Sequence, residues 1–439
     1  MLAALAALAA PASAYADAGY RAPGNPSYEV ELRADGSGTR FAGRESVRFE
    51  NTGPARLDRV WLRLWGNGAG GCARPAVQVS SVRGATAEPL AVDCTALPLA
   101  LPAPLAPGGT ASVSFTLTIA VPPRSDRFGQ VGGVVLGGNA IPLLAIQDAG
   151  GPHLDPYVAF GESFYSQIGR FRVRFDVPRG LTVAATGSRV SRVEQGGRVV
   201  EIFRADQVRD FAWALGALHE RVGTVRPGLR VRVWSDRRVP ERTLGAALGW
   251  AVSAMRRLEG LYGPYPYPEV EVVIVPFPRF GGMEYPTLVM ATPVARAVRH
   301  ELAHQWWYGI VGDDQYHEPW LDEAFATYSE ATLSGIAANL CDHVSWPAPD
   351  ARVSAGMDYW SRHQRDYSAV VYRAGACTLQ RLGEVLGLAR LRALLRQYLD
   401  AHRFGWSTTT DFVAAANQAA AALTPPVDLT AFWAEHRIG

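Results

Sequence analysis

Between residue 28 and about residue 216, apolar and polar positions alternate in short runs broken by Gly, Pro, Asn and Asp, as at 28–32, 44–50, 60–64, 111–120, 171–177 and 199–203. A period of two marks half-buried strands, and helical spacing is almost absent there. This half therefore reads as an all-β saddle or sandwich, with Gly/Pro-rich loops at 101–109 and 129–138. Beyond Arg230 the texture changes. Segments 230–234 and 270–275 keep strand character, while 240–261, 293–308, 321–337, 368–386 and 388–401 carry apolar residues at helical spacing. The pattern predicts an α+β multidomain chain: a β domain over 19–222, then a mainly helical domain with a small sheet over 223–439. No internal repeat of 20 to 50 residues stands out.

Composition narrows the function classes. Of 439 residues, 48% are hydrophobic and 19% charged, enough apolar material for a large core. The formal charge is only +2 and no dense basic run occurs, which argues against nucleic acid as a partner. Every basic residue other than histidine is arginine, so lysine-dependent chemistry is excluded. The apolar run 2–10 followed by Ala12-Ser13-Ala14 has the pattern of a cleaved secretory signal peptide within 1–18, without the usual basic start. That run is too short to span a bilayer, so membrane insertion is not expected and secretion is. Four cysteines in a secreted chain predict two disulfides. The sequence-local pairing is Cys72 with Cys94 and Cys341 with Cys377, one of three possible connectivities.

The chemistry concentrates at His300-Glu301-Leu302-Ala303-His304. On a helix, positions i and i+4 are about 40° and about 6 Å apart, so both imidazoles can share one zinc ion. Glu301 is turned away by about 100° and stands beside the metal as a general base. The surrounding residues predict the helix: Thr292 as its cap, Pro293 at its first position, Val294, Val298 and Leu302 as its apolar stripe, and Gly309 as its stop. With 9 His and 20 Glu in the chain, the chance expectation for such a string is about 0.008. A third ligand is expected at Glu323, after 18 intervening residues in Trp320-Leu321-Asp322-Glu323, with His317 as a weaker competitor. Two imidazoles and one carboxylate leave a coordination position open, the pattern of a catalytic zinc.

The segments HELAHQWW at 300–307 and WLDEAFATY at 320–328 resemble the zinc site of the aminopeptidase N family of gluzincin metallopeptidases. GGMEYP at 281–286 is similar to that family's G-x-M-E-N motif, with Tyr285 in place of its asparagine, and 367–375 to its catalytic tyrosine region. The resemblance implies an N-terminal saddle domain, a thermolysin-like catalytic domain and one zinc per chain. It also implies peptides as substrates, cleaved from their N-termini. The large C-terminal helical domain often found in the family is not expected here.

The implied roles follow residue by residue. His300, His304 and Glu323 bind the metal, Glu301 is the base, and Tyr372 stabilises the oxyanion. Gly281, Gly282, Met283 and Glu284 bind substrate, with Glu284 on the free α-ammonium group. Gln130 is a candidate second partner for that amine. Glu330 is a candidate support for a ligand imidazole, and Tyr367 for the site. The same metal site would also serve an endopeptidase or another zinc hydrolase. A third possibility is an inactive relative acting as a binding module, which predicts loss of ligands or base, yet all are present.

Overall fold

The computed structural model describes residues 19–342, 344 and 346–439; the expected signal peptide at 1–18 lies outside the described residues. The first half is built on a seven-stranded sheet in the order Ser188–Gln195, Arg198–Val208, Gly169–Pro178, Gly24–Ala34, Arg40–Glu50, Thr110–Ala120, Val77–Arg83. Its neighbours are antiparallel except Gly24–Ala34 beside Gly169–Pro178. Alternation is the reason these residues form strands: along Gly24–Ala34, Tyr28, Val30 and Leu32 point into the core while Glu29 and Arg33 face water. Two four-stranded sheets and a two-stranded one, Gln147–Asp148 with Gly151–Pro152, complete this half among the described residues, so the expected all-β architecture is what the chain forms.

Both segments read as loops contain strands. Residues 101–105 extend the strand Ala96–Leu105, where Pro102 and Pro104 lie beyond the last pair with Thr86–Ala87 and leave no ladder partner without a donor on that side. Residues 129–138 are mostly the hairpin Phe128–Val131 and Val134–Gly137. Gly132 and Gly133, at φ of 57° and 85°, make the two-residue turn that right-twisted strands need.

The second half opens with a five-stranded sheet in the order Leu218–Arg226, Leu229–Asp236, Glu269–Ile274, Leu288–Ala291, Gly282–Met283. The first of these strands crosses residues 222 and 223 and belongs wholly to this sheet. Helix α1, Glu241–Tyr262, packs on it through Leu244, Ala247, Ala251, Met255 and Leu258, a stripe at helical spacing. Helices α2, Ala295–Ala303, and α3, Trp320–Ser334, follow and pack against each other. Further helices at Gly375–Leu386, Leu388–Ala401, Thr409–Ala421 and Thr430–Glu435 complete the core. The last two were not expected.

Helix α2 is shorter than the predicted 293–308. Thr292 does not cap it, because its backbone N–H donates to the Gly281 carbonyl at 2.8 Å and keeps it in the sheet. Val294 is extended and exposed rather than part of the buried stripe, so the helix starts at Ala295. It ends at Ala303, well before Gly309, and Tyr308 then turns back with φ of 110°.

An apolar layer joins the two halves. Val131, Val134 and Leu136 of the hairpin and Ala212 and Ala214 meet Trp234, Val273, Met283, Tyr285 and Leu288 of the second sheet. Both cysteine pairs are disulfides, Cys72–Cys94 and Cys341–Cys377. Among the described residues, no helix is long and apolar enough to cross a membrane.

Candidate active site

Helices α2 and α3 bring His300, His304 and Glu323 together at the floor of a cavity of about 800 Å³. His300 and His304 lie one turn apart on α2 and its C-cap, with Nε2 atoms 3.1 Å apart. Glu323, in the first turn of α3, sets Oε2 at 3.1 Å from His300 Nε2 and 3.5 Å from His304 Nε2. A tetrahedral site with ligand bonds of about 2.0 to 2.1 Å has edges of about 3.3 Å, so the three donors match zinc in type and spacing.

The orientation of His304 follows from its other nitrogen. Nδ1 bonds the Asp322 carboxylate and lies 3.2 Å from the Trp307 carbonyl, which places its proton there and turns the Nε2 lone pair toward His300 and Glu323. Asp322 is held in turn by Gln315 Nε2, 2.6 Å away. Burial raises the Asp322 pKa, with His304 opposing. Burial would also raise that of Glu323, but its contacts with the imidazoles of His300 and His304 hold it below the usual carboxylate range.

Glu301 lines the same cavity from α2. Burial pushes its carboxyl well above the ordinary range, against the pull of His304, so the pocket favours a carboxylate that readily takes a proton. Its place depends on a close approach by the strand Gly282–Met283. A Cβ on Gly282 would stand 2.5 Å from Glu301 Cγ and 2.3 Å from the Met290 carbonyl.

Tyr372 reaches the ligands from a π-helical turn, Ser368–Ala374, within the expected helix 368–386. Its hydroxyl donates to Glu323 Oε1 at 2.5 Å and its ring stacks on His300 at 5.9 Å. Tyr367 sits behind it, fully buried, edge-on at 5.6 Å. Its buried hydroxyl makes no hydrogen bond to the described residues, and its ring contacts are with Phe160, Trp360 and Tyr372.

Gly281, Gly282, Met283 and Glu284 form one wall of the cavity. Glu284 is buried and accepts from Gln315 at 3.4 Å; burial and then the nearby Glu162 raise its pKa. Tyr285 points away, donating to Asn139 Oδ1 at 2.7 Å. Three expectations fail geometrically. Glu330 accepts from Arg296 and Ser334, each at 3.0 Å, and the carboxylate supporting an imidazole is Asp322. Gln130 bonds the Val121 carbonyl outside the cavity. His317 pairs with Asp314 at 2.8 Å, away from the triad.

The β half also lines the cavity, with Glu162 and Arg127, which no motif indicated. Arg127 Nη1 donates to Glu162 Oε2 at 2.5 Å, both buried. Burial carries the Glu162 carboxyl up to about 7, with Arg127 pulling the other way. Asp322, by contrast, was legible as the residue preceding Glu323.

Comparison with known proteins adds lineage. Residues 247–436 match the model described as the peptidase family M1 domain. Aminopeptidase B of Rattus norvegicus is 24% identical over 270 residues, covering 54% of this chain and 40% of that protein. Aminopeptidase N of Lactobacillus delbrueckii subsp. lactis is 27% identical over 270 residues, covering 53% and 31%. The chain thus spans about a third to two-fifths of the length of these relatives. A crystal structure of an M1 zinc metallopeptidase from Deinococcus radiodurans superposes with a TM-score of 0.69 at 20% identity, covering 91% of this chain and 90% of that one. A variant of that enzyme bound to a Tyr-Ser-Ala substrate gives 0.70 at 20% identity, over 92% and 91%. Both superpositions span the β half and the helical half together.

Proposed function

Because residues 247–436 match the peptidase family M1 domain, we propose that this chain is a zinc aminopeptidase that removes single residues from the N-termini of peptides. The observation that carries this reading is the placement of a donor triad, a buried base and a second buried carboxylate, Glu284, on one cavity. His300, His304 and Glu323 would hold the zinc. When bound, zinc supplies Lewis acidity and lowers the pKa of water to about 7.

Glu301 takes a proton from the attacking water and returns it to the leaving amine, a task suited to a carboxyl whose pKa is raised by burial. Tyr372, already donating to Glu323 Oε1, has a hydroxyl within reach of an oxyanion formed above the triad. Glu284 binds the substrate's α-ammonium group. Glu162 lies on the same cavity and adds negative charge toward that amine, moderated by Arg127. The cavity therefore favours a cationic N-terminus over a blocked one. The two disulfides support action outside the cytoplasm, with 1–18 as a cleaved leader.

The test compares an aminoacyl-anilide with its N-acetylated form. A charge-assisted hydrogen bond is worth about 2 kcal/mol, so kcat/KM should fall about 30-fold or more on acetylation. Glu284→Gln should erase most of that preference, chiefly through KM. Faster cleavage of the blocked compound would replace this reading with the endopeptidase one.

A further inference from the structure

A second group of metal-type donors lies where the two halves of the chain meet. His153 and Asp155 follow the strand Gly151–Pro152 of the β half, and Asp314 and His317 stand on the loop that leads into α3. One ligand atom from each of the four falls within 4.8 Å of all the others. His153 Nδ1 is 3.4 Å from Asp314 Oδ2, His317 Nδ1 is 2.8 Å from the same oxygen, and His317 Nε2 is 3.7 Å from Asp155 Oδ1. These contacts span 2.8 to 3.7 Å and engage both His317 nitrogens, one of which would face the ion; the donors of the catalytic triad lie 3.1 to 3.5 Å apart.

The ring geometry agrees. The two imidazoles are crossed at 83° with centroids 6.2 Å apart, so they do not stack on each other and their edges stay open to a shared partner. His153 Nε2 is 2.7 Å from Asp148 Oδ2, the carboxylate–imidazole contact that fixes the tautomer of a ligating histidine. His304 and Asp322 make the equivalent contact in the catalytic site. From this geometry we infer that His153, Asp155, Asp314 and His317 form a second divalent-cation site, of the mixed imidazole and carboxylate class that suits Zn²⁺.

The placement gives the site a task. Gln315, between Asp314 and His317, donates to both Asp322 and Glu284. A cation bridging 153–155 to 314–317 would hold that loop, and with it the support of His304 and of the amine-binding carboxylate, against the β half.

Zinc per chain, measured by plasma mass spectrometry after saturation with Zn²⁺ and gel filtration, tests the proposal on the full chain. The count should fall by one, from two to one, when His153→Gln and His317→Gln are combined. An unchanged count overturns the proposal. A fall from one to none keeps the seam site and removes the catalytic one, so the two readings fail separately. To guard against misfolding of the double variant, Co²⁺ is added to His304→Ala protein, in which the seam residues are intact. One equivalent should give visible absorption that disappears on adding His317→Gln, a half-exposed substitution. Absorption that survives His317→Gln also overturns the proposal.

Discussion

Glu301 and Tyr372 touch the same small volume but depend on it in different ways. Glu301 is a buried carboxyl whose surroundings disfavour its charge, while Tyr372 is tied by its hydroxyl to a ligand oxygen. Glu301→Gln keeps shape and removes the proton acceptor, so kcat should drop about 100- to 10,000-fold with zinc content unchanged. Tyr372→Phe removes one donor, for an expected loss of about 100- to 1000-fold, again in kcat. Steady-state kinetics with metal analysis of each variant checks both. Loss of zinc from Tyr372→Phe would make Tyr372 a positioning group for Glu323 instead.

At the scale of elements, the site is three pieces meeting: α2, α3 and the edge strand Gly282–Met283. That strand pairs with Leu288–Ala291 through Met283 and Met290, so the Met290 carbonyl cannot retreat from an added methyl. Gly282→Ala should therefore push Glu301 aside, lowering kcat by about tenfold or more and stability by about 1 to 3 kcal/mol, read by kinetics and urea unfolding. Parent-like values in both would mean that the strand has room to shift. The same elements mark what could be read from the chain beforehand. Helices α1 and Leu388–Ala401 each bury one stripe, and their spacing shows it. Helix α3 is buried on nearly every side, so it was recognisable through its ligand motif more than its period. Thr409–Ala421 escaped because alanine dominates it and few large apolar residues mark a face, although Thr408 and Asp411 form a capping box. Start signals misled at α2, where sheet pairing claimed Thr292 first. His300, Glu301 and His304 were legible together because helix geometry ties them to local spacing, and Glu323 through the segment 320–328 that resembles a known motif. Glu162 and Arg127 were not, since only tertiary folding brings their loops to the cavity.

For the molecule as a whole, the cavity depends on the two halves holding one relative position, because residues of both line it. Beyond the apolar layer between the sheets, Arg209 fastens them. This buried guanidinium from the β half donates to the Gly405 carbonyl at 3.0 Å and lies over the Tyr308 and Trp406 rings at 5.8 and 5.7 Å. Burial lowers its pKa, with the neighbouring Tyr308 and Asp313 opposing. It fits only because residue 312 is glycine. A Cβ there would stand 2.1 Å from Arg209 Nη1, and the backbone is pinned by Gly312 N–H to Gly405 O at 3.0 Å and Ser407 N–H to Gly312 O at 2.8 Å. Gly312→Ala must therefore displace the guanidinium from its buried contacts, at a cost of about 1 to 3 kcal/mol. Because Glu162 and Arg127 belong to the β half and the ligand triad to the other, a loosened seam should raise KM more than it lowers kcat. Urea unfolding beside substrate titration checks both, and an unchanged unfolding midpoint would show that the apolar layer alone aligns the two walls.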